Sequence, residues 1–133
     1  MMRKGGILNP VLAKLLAETG HTDYLVVTDA GLPIPENVNT RIDFALKPGI
    51  PGFLELLDTV LNELVVEKII LAEEIKTASP EMHEEISKRF QNIPVEYVPH
   101  IQFKENTKRA RGLIRSGEFT PYANIILQAG VAY

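Results

Sequence analysis

Tyr24-Leu25-Val26-Val27-Thr28-Asp29-Ala30-Gly31 is the stretch on which the fold turns. Its first five residues are almost continuously apolar and rich in β-branched side chains, as a buried strand requires. The run breaks at Asp29, which leaves a carboxylate where the strand ends. Toward the N-terminus, Asn9 is a good helix N-cap and Pro10 a good first helical residue. Val11, Leu12, Leu15 and Leu16 then recur at helical spacing, and Gly20 supplies a stop. Toward the C-terminus, Leu32-Pro33-Ile34-Pro35 is a stiff turn that can continue neither a helix nor a strand.

The alternation persists along the chain. Arg41–Leu46 reads as a second strand, and Lys47-Pro48-Gly49-Ile50-Pro51-Gly52 as a loop. Phe53–Leu64 reads as an amphipathic helix with Phe53, Leu56, Leu57, Val60, Leu61 and Leu64 on its inner stripe. Lys68–Ala72 is a third strand, and Ser79 and Pro80 open a helix that runs to Gln91. Val95–Val98 is a fourth strand, ending in Pro99-His100, and Ile101–Lys108 a short helix. Gly112–Arg115 and Asn124–Ala129 read as two last strands, expected to pair as an antiparallel edge. Helices and strands in alternation predict an α/β fold, a three-layer sandwich around a mostly parallel sheet. Ligands collect beyond the carboxyl ends of strands in such folds, where Asp29 and His100 both fall.

Composition narrows the function classes. The 133 residues contain no repeat, low-complexity tract or linker, so 1–133 reads as one domain. A chain of this size has little bulk for a deep pocket of its own, which hints at a site completed by a neighbouring subunit. The net charge is −3 with 14 basic residues, so neither nucleic acid nor an anionic membrane is an expected partner. The absence of cysteine removes disulfides, thiolate catalysis and cysteine-ligated metals. Runs such as Ile69–Ala72 and Ile125–Leu127 are far too short to span a bilayer. The opening segment has no signal-peptide core before Asn9 and Pro10, so a cytoplasmic location is expected. The 3 histidines are scattered without His-x-x-x-His spacing, so no metal site is expected. Gly31 lacks the glycine partners of a dinucleotide or phosphate loop, and no cofactor is expected.

The candidate groups each carry two readings. His21, in the turn after Gly20, is either an exposed turn histidine, or one that bonds the last helix carbonyls, or a general acid/base. Spacing does not decide between them. Asp29 is either a helix-cap or Asx-turn residue or a carboxylate that accepts sugar hydroxyls at a strand end. His100 is a capping or surface histidine, or a second functional imidazole. His83, among Glu81, Glu84 and Glu85, reads as part of a solvated face and is assigned no role. Lys47-Pro48-Gly49 and Arg115-Ser116-Gly117-Glu118 read as solvated polar turns. Phe119-Thr120-Pro121-Tyr122-Ala123-Asn124 places a hydroxyl, a ring and an amide beside a proline. Sugar sites use such groups, although a core tyrosine and a turn asparagine fit the same residues.

Taken together in order, several motifs resemble one family. They are Gly6-Ile7-Leu8-Asn9, Gly20-His21-Thr22-Asp23, Thr28 to Pro35, Phe119 to Asn124 and the closing Leu127-Gln128-Ala129-Gly130-Val131. These run over nearly the whole chain and are similar to the D-ribose pyranase family, the RbsD members of the RbsD/FucU group of sugar mutarotases. Fucose mutarotases share the Gly-His turn and the Tyr-Ala-Asn segment. They usually lack the Ala-Gly-Leu-Pro-x-Pro run and the Thr-Pro before the tyrosine, and this sequence has both. The resemblance implies an α/β fold assembled as a ring-shaped homodecamer, with D-ribose bound where adjacent subunits meet. It makes His21 the catalytic proton donor and Asp29, His100, Tyr122 and Asn124 the sugar-binding residues. Around His100, only the histidine and Phe103-Lys104 match the pattern comfortably.

The chemistry suits these residues. Exchanging a pyranose for a furanose removes the anomeric hydroxyl proton, protonates the ring oxygen, opens the ring to the aldehyde and closes it through a different hydroxyl. One placed general acid/base supplies about 10²–10⁴-fold, enough for a reaction that already runs in water. Three other readings stand beside this one. They are a mutarotase of L-fucose or another sugar, a non-catalytic ribose-binding module of sugar uptake, and a nucleotide or phosphosugar binder. The last lacks its phosphate loop.

Overall fold

The computed structural model describes residues 2–133. Helix α1 (Pro10–Glu18) starts as its sequence dictates, with the Asn9 side chain accepting a hydrogen bond from the Leu12 amide at 2.9 Å. Strand β1 (Tyr24–Thr28) is followed by β2 (Thr40–Asp43), α2 (Phe53–Leu61), β3 (Val66–Ala72), α3 (Ile75–Ala78) and α4 (Pro80–Arg89). Then come β4 (Val95–Val98), α5 (His100–Thr107), β5 (Gly112–Arg115) and β6 (Ile125–Ala129). The second strand and second helix are shorter than their patterns predict, and the one-turn α3 was not expected.

The six strands form one sheet in the order β2-β5-β1-β6-β3-β4. The pairs β2–β5, β5–β1 and β3–β4 are parallel, whereas β6 runs antiparallel to both β1 and β3. The sheet is therefore mostly parallel, as expected, but the expected antiparallel edge is wrong. Strand β5 is a parallel partner of β1 and β2, and β6 inserts at the centre. The physical reason lies in burial. Ile125, Ile126 and Leu127 are each 0% exposed, a two-sided burial that no edge strand achieves.

Alternation along each strand divides the core. Leu25, Val27, Ile69, Leu71, Ile125 and Leu127 pack under α1, α2 and α4 through Leu12, Leu15, Phe53, Leu57, Val60 and Ile86. On the other face, Val26, Ile70, Leu113 and Ile126 meet Phe103 of α5 and Leu32. Helices thus cover both faces, and the polar loops fall at the two ends. The carboxyl ends of β1 and β4 and the amino end of antiparallel β6 share one end. The start of β1, the start of β3 and the end of β6 share the other.

Candidate functional site

Four of the residues singled out in the sequence come together at the carboxyl end of the sheet. Asp29 leaves β1 in an Asx turn, its Oδ1 accepting from the amides of Gly31 at 3.0 Å and Leu32 at 2.9 Å. Asn124, fully buried just before β6, holds Asp29 from the other side. Its Oδ1 accepts from the Asp29 amide at 2.8 Å, and its Nδ2 donates to Asp29 Oδ2 at 3.2 Å. The Asx-turn reading of Asp29 therefore holds, and the same residue lines a cavity at this end of the sheet. Burial pushes that carboxyl above its ordinary 3.8, opposed by the Gly31 and Leu32 amides, the Asn124 amide and the His100 imidazole.

His100 opens α5. Helix α5 has no capping side chain at Pro99, and Glu74 supplies one from the loop after β3, both oxygens accepting from the His100 amide at 3.0 and 3.1 Å. The ring stacks near Phe103 with centroids 6.4 Å apart and meets Tyr122 edge-on at 5.0 Å. Its Nδ1 is buried without a hydrogen-bond partner. Tyr122 adopts a left-handed backbone (φ 61°), unusual for a bulky residue and a mark of functional turns. The Ser79 hydroxyl fixes that turn by donating to the Pro121 carbonyl at 2.6 Å.

Asp29, Leu32, Pro33, His100, Pro121 and Tyr122 line a cavity of about 280 Å³. A second hollow of about 390 Å³ lies on the other side of the Asp29 turn, bounded by Arg115, Glu118 and Phe119. It is open, and Phe119 stands 68% exposed at its wall. The polar turn at 115–118 is not the solvated loop its sequence suggests. Ser116 and Gly117 are buried, and Arg115 donates to Asp43 at 2.7 Å and to the Ala30 carbonyl at 3.0 Å. Glu118 accepts from the Phe53 amide at 3.0 Å and the Thr120 hydroxyl at 2.7 Å.

His21 is elsewhere. It precedes β1, so the five residues of that strand, on the order of 17 Å, separate its turn from the Asp29 turn. Its side chain is 52% exposed, and Nε2 lies 3.0 Å from Glu67 Oε2. His83 is also not on a solvated face: it is half-buried, with Nε2 2.7 Å from the Tyr97 hydroxyl, and Lys76 lies over the Tyr97 ring. Among the described residues, no three of His, Asp and Glu converge as a metal would need.

Glu74, Phe119 and Pro33 are among the site-lining or site-holding residues that the sequence did not reveal. Glu74 carries no local signal, because the amide it caps lies 26 residues away. Pro33 and Phe119 lie inside the Thr28–Pro35 and Phe119–Asn124 motifs, but an apolar side chain there reads equally well as core.

Comparison with known proteins identifies the family. The RbsD / FucU transport protein family matches residues 2–132. A D-ribose pyranase of Geobacillus thermodenitrificans is 57% identical over 132 residues, covering 99% of each chain. The structure of Bacillus subtilis RbsD complexed with D-ribose superposes with a TM-score of 0.94 at 50% identity, over 99% of this chain and 100% of that one. The fucose mutarotase of Streptococcus pneumoniae, in complex with L-fucose, superposes at 0.79 with 28% identity over 94% of each chain. With matching motifs, fold and length, this chain belongs to the RbsD/FucU family.

Proposed function

We propose that this chain is a D-ribose pyranase, an isomerase that interconverts the β-pyranose and β-furanose rings of D-ribose with residues 1–133 acting as one domain. One observation carries the reading. Identity to a curated D-ribose pyranase is 57% over full length, and identity to the ribose-bound relative is 50%, against 28% to the L-fucose-bound one.

The cavity at the carboxyl end of the sheet is the sugar subsite in this reading. Asp29 accepts hydroxyl hydrogen bonds, and the ring of Tyr122 faces the C–H surface of the sugar. The His100 ring, on the wall of the cavity, takes a hydroxyl, and Asn124 uses its remaining Nδ2 hydrogen while it steadies Asp29. His21 is the proton donor. It protonates the ring oxygen as the C1–O bond breaks, while Asp29 or a water receives the anomeric proton. The aldehyde then recloses through the other hydroxyl, so atoms and protons balance without redox change.

This assignment requires a second copy, because His21 of the same chain lies at the opposite end of the sheet. The site is formed where one subunit's His21 end meets its neighbour's Asp29 end, in a ring-shaped homodecamer. Exposed Phe119 borders the hollow beside Asp29, exposed Leu46 borders the adjoining hollow at Ala30 and Arg115, and at 68% and 76% exposure both suit burial against another copy. A cytoplasmic role in ribose catabolism goes with this reading.

The test is saturation-transfer NMR of ribose ring exchange on wild type and His21→Ala. The variant should still bind ribose but lose exchange by about 10²-fold or more. Unaltered exchange in His21→Ala contradicts the assignment. Faster exchange of L-fucose than of ribose by the wild type would redirect the substrate.

A further inference from the structure

We propose that Glu67, itself anchored by Gln128, is the positioning residue that fixes the tautomer and direction of the His21 ring, so that protons pass to and from the sugar through Nδ1. This rests on the reading of His21 as the proton donor.

The geometry forms a chain across three elements. The Gln128 amide, on β6, donates from Nε2 to Glu67 Oε1 at 2.7 Å. The other carboxylate oxygen, Oε2, lies 3.0 Å from His21 Nε2. The Glu67 carboxyl is held below its ordinary 4.5, first by the Gln128 amide and then by His21, so it is ionised at neutral pH. An ionised carboxylate can only accept. The hydrogen between them therefore belongs to His21 Nε2, and Nδ1 is the ring atom left to exchange a proton. Nδ1 makes no hydrogen bond within the chain among the described residues.

Two backbone features aim these side chains. Between the pairs Val66↔Ala129 and Lys68↔Gln128 the β3–β6 register shifts, leaving Glu67 as the extra residue of a β-bulge. Bulges redirect a side chain that regular pleating would send elsewhere, and they recur beside active sites. Gly130 makes the close approach possible, because a Cβ there would lie 3.3 Å from Glu67 Cβ and 3.2 Å from Val65 Cγ1. On the other side, Thr22 takes a left-handed backbone (φ 72°), strained for a β-branched residue, with its amide tied to the Ala129 carbonyl at 2.8 Å. The other charged groups of that turn are engaged: Asp23 accepts from the Gly20 amide and from Arg111. Glu67 is thus the carboxylate partner of His21.

The experiment compares His21→Ala, Glu67→Ala, Glu67→Asp and Gln128→Leu, each checked for assembly by sedimentation velocity. Ring exchange gives kcat and KM for ribose, and ¹⁵N NMR reads the His21 tautomer. Glu67→Ala should lower kcat by on the order of tenfold, leave KM nearly unchanged and remove the Nε2–H pattern. Glu67→Asp should recover part of both, and Gln128→Leu should show a smaller loss of the same kind. Wild-type kcat and an unaltered tautomer in Glu67→Ala, beside an inactive His21→Ala, overturn the positioning role while leaving the donor assignment intact. If Glu67→Ala does not assemble, Gln128→Leu decides by the same two readouts. Full activity in His21→Ala overturns the donor assignment itself.

Discussion

Asp29 sits between opposing forces: burial disfavours its charge, while two backbone amides, Asn124 and His100 favour it, and burial prevails. A carboxyl raised above 3.8 in the folded chain makes its full contribution to stability below that value and loses it as pH rises through the folded value. At neutral pH the ionised group is therefore a cost to folding, of the kind a binding carboxylate carries. The same shift has a consequence for sugar binding. Ribose affinity, measured by calorimetry, should weaken as pH falls through a window lying above 3.8, and this dependence should vanish in Asp29→Asn. A wild-type affinity that stays flat through that window contradicts the role given to Asp29. At this scale the sequence was informative wherever a polar residue ended an apolar run, as Asp29 and His100 do. It was silent on Glu74 and Glu67, whose partners lie 26 and 46 residues away.

Among the elements, the 115–118 turn joins the Asp29 end of the sheet to the start of α2. Gly52, the N-cap of α2, has no side chain, and Glu118 takes its place by accepting from the Phe53 amide. Burial acts to raise the Glu118 carboxyl, but the Phe53 amide and the Thr120 hydroxyl and amide outweigh it and hold it below 4.5. A lowered carboxyl stabilises above its unfolded value and loses that contribution as pH falls through the folded one. Glu118→Gln should therefore cost about 1 kcal/mol at neutral pH in urea unfolding, and the difference from wild type should shrink below 4.5. Gly117 has a separate reason to be small. A Cβ there would lie 2.5 Å from the Ile50 carbonyl oxygen and 2.7 Å from that of Lys47. Gly117→Ala should cost about 1–3 kcal/mol, and a wild-type unfolding midpoint would show that the 47–51 turn yields freely. Strands Tyr24–Thr28, Val95–Val98 and Gly112–Arg115 were legible because breakers bound their apolar runs. The central place of β6 was not, since pairing with β1 and β3 is decided by contacts across most of the chain.

The whole molecule is divided between its two ends. One end holds the aspartate, the half-buried His100 imidazole and the strained Tyr122. The other holds His21 with its Glu67–Gln128 support. The α/β sandwich and the mostly parallel sheet could be read from alternating elements. The separation of His21 from Asp29 could not, because it is set by the strand that lies between two motifs close together in sequence. Phe119→Asp, at an exposed apolar position beside the Asp29 hollow, should shift sedimentation toward smaller species and reduce exchange with it. The central claim, a sugar site shared between copies, is tested most directly by complementation. His21→Ala and Asp29→Ala, each inactive alone, are co-expressed and purified as mixed oligomers, and ribose ring exchange is measured by NMR. The account predicts that exchange returns, because some interfaces bring a native His21 from one subunit to a native Asp29 of the next. Mixed oligomers as inactive as either parent would contradict it.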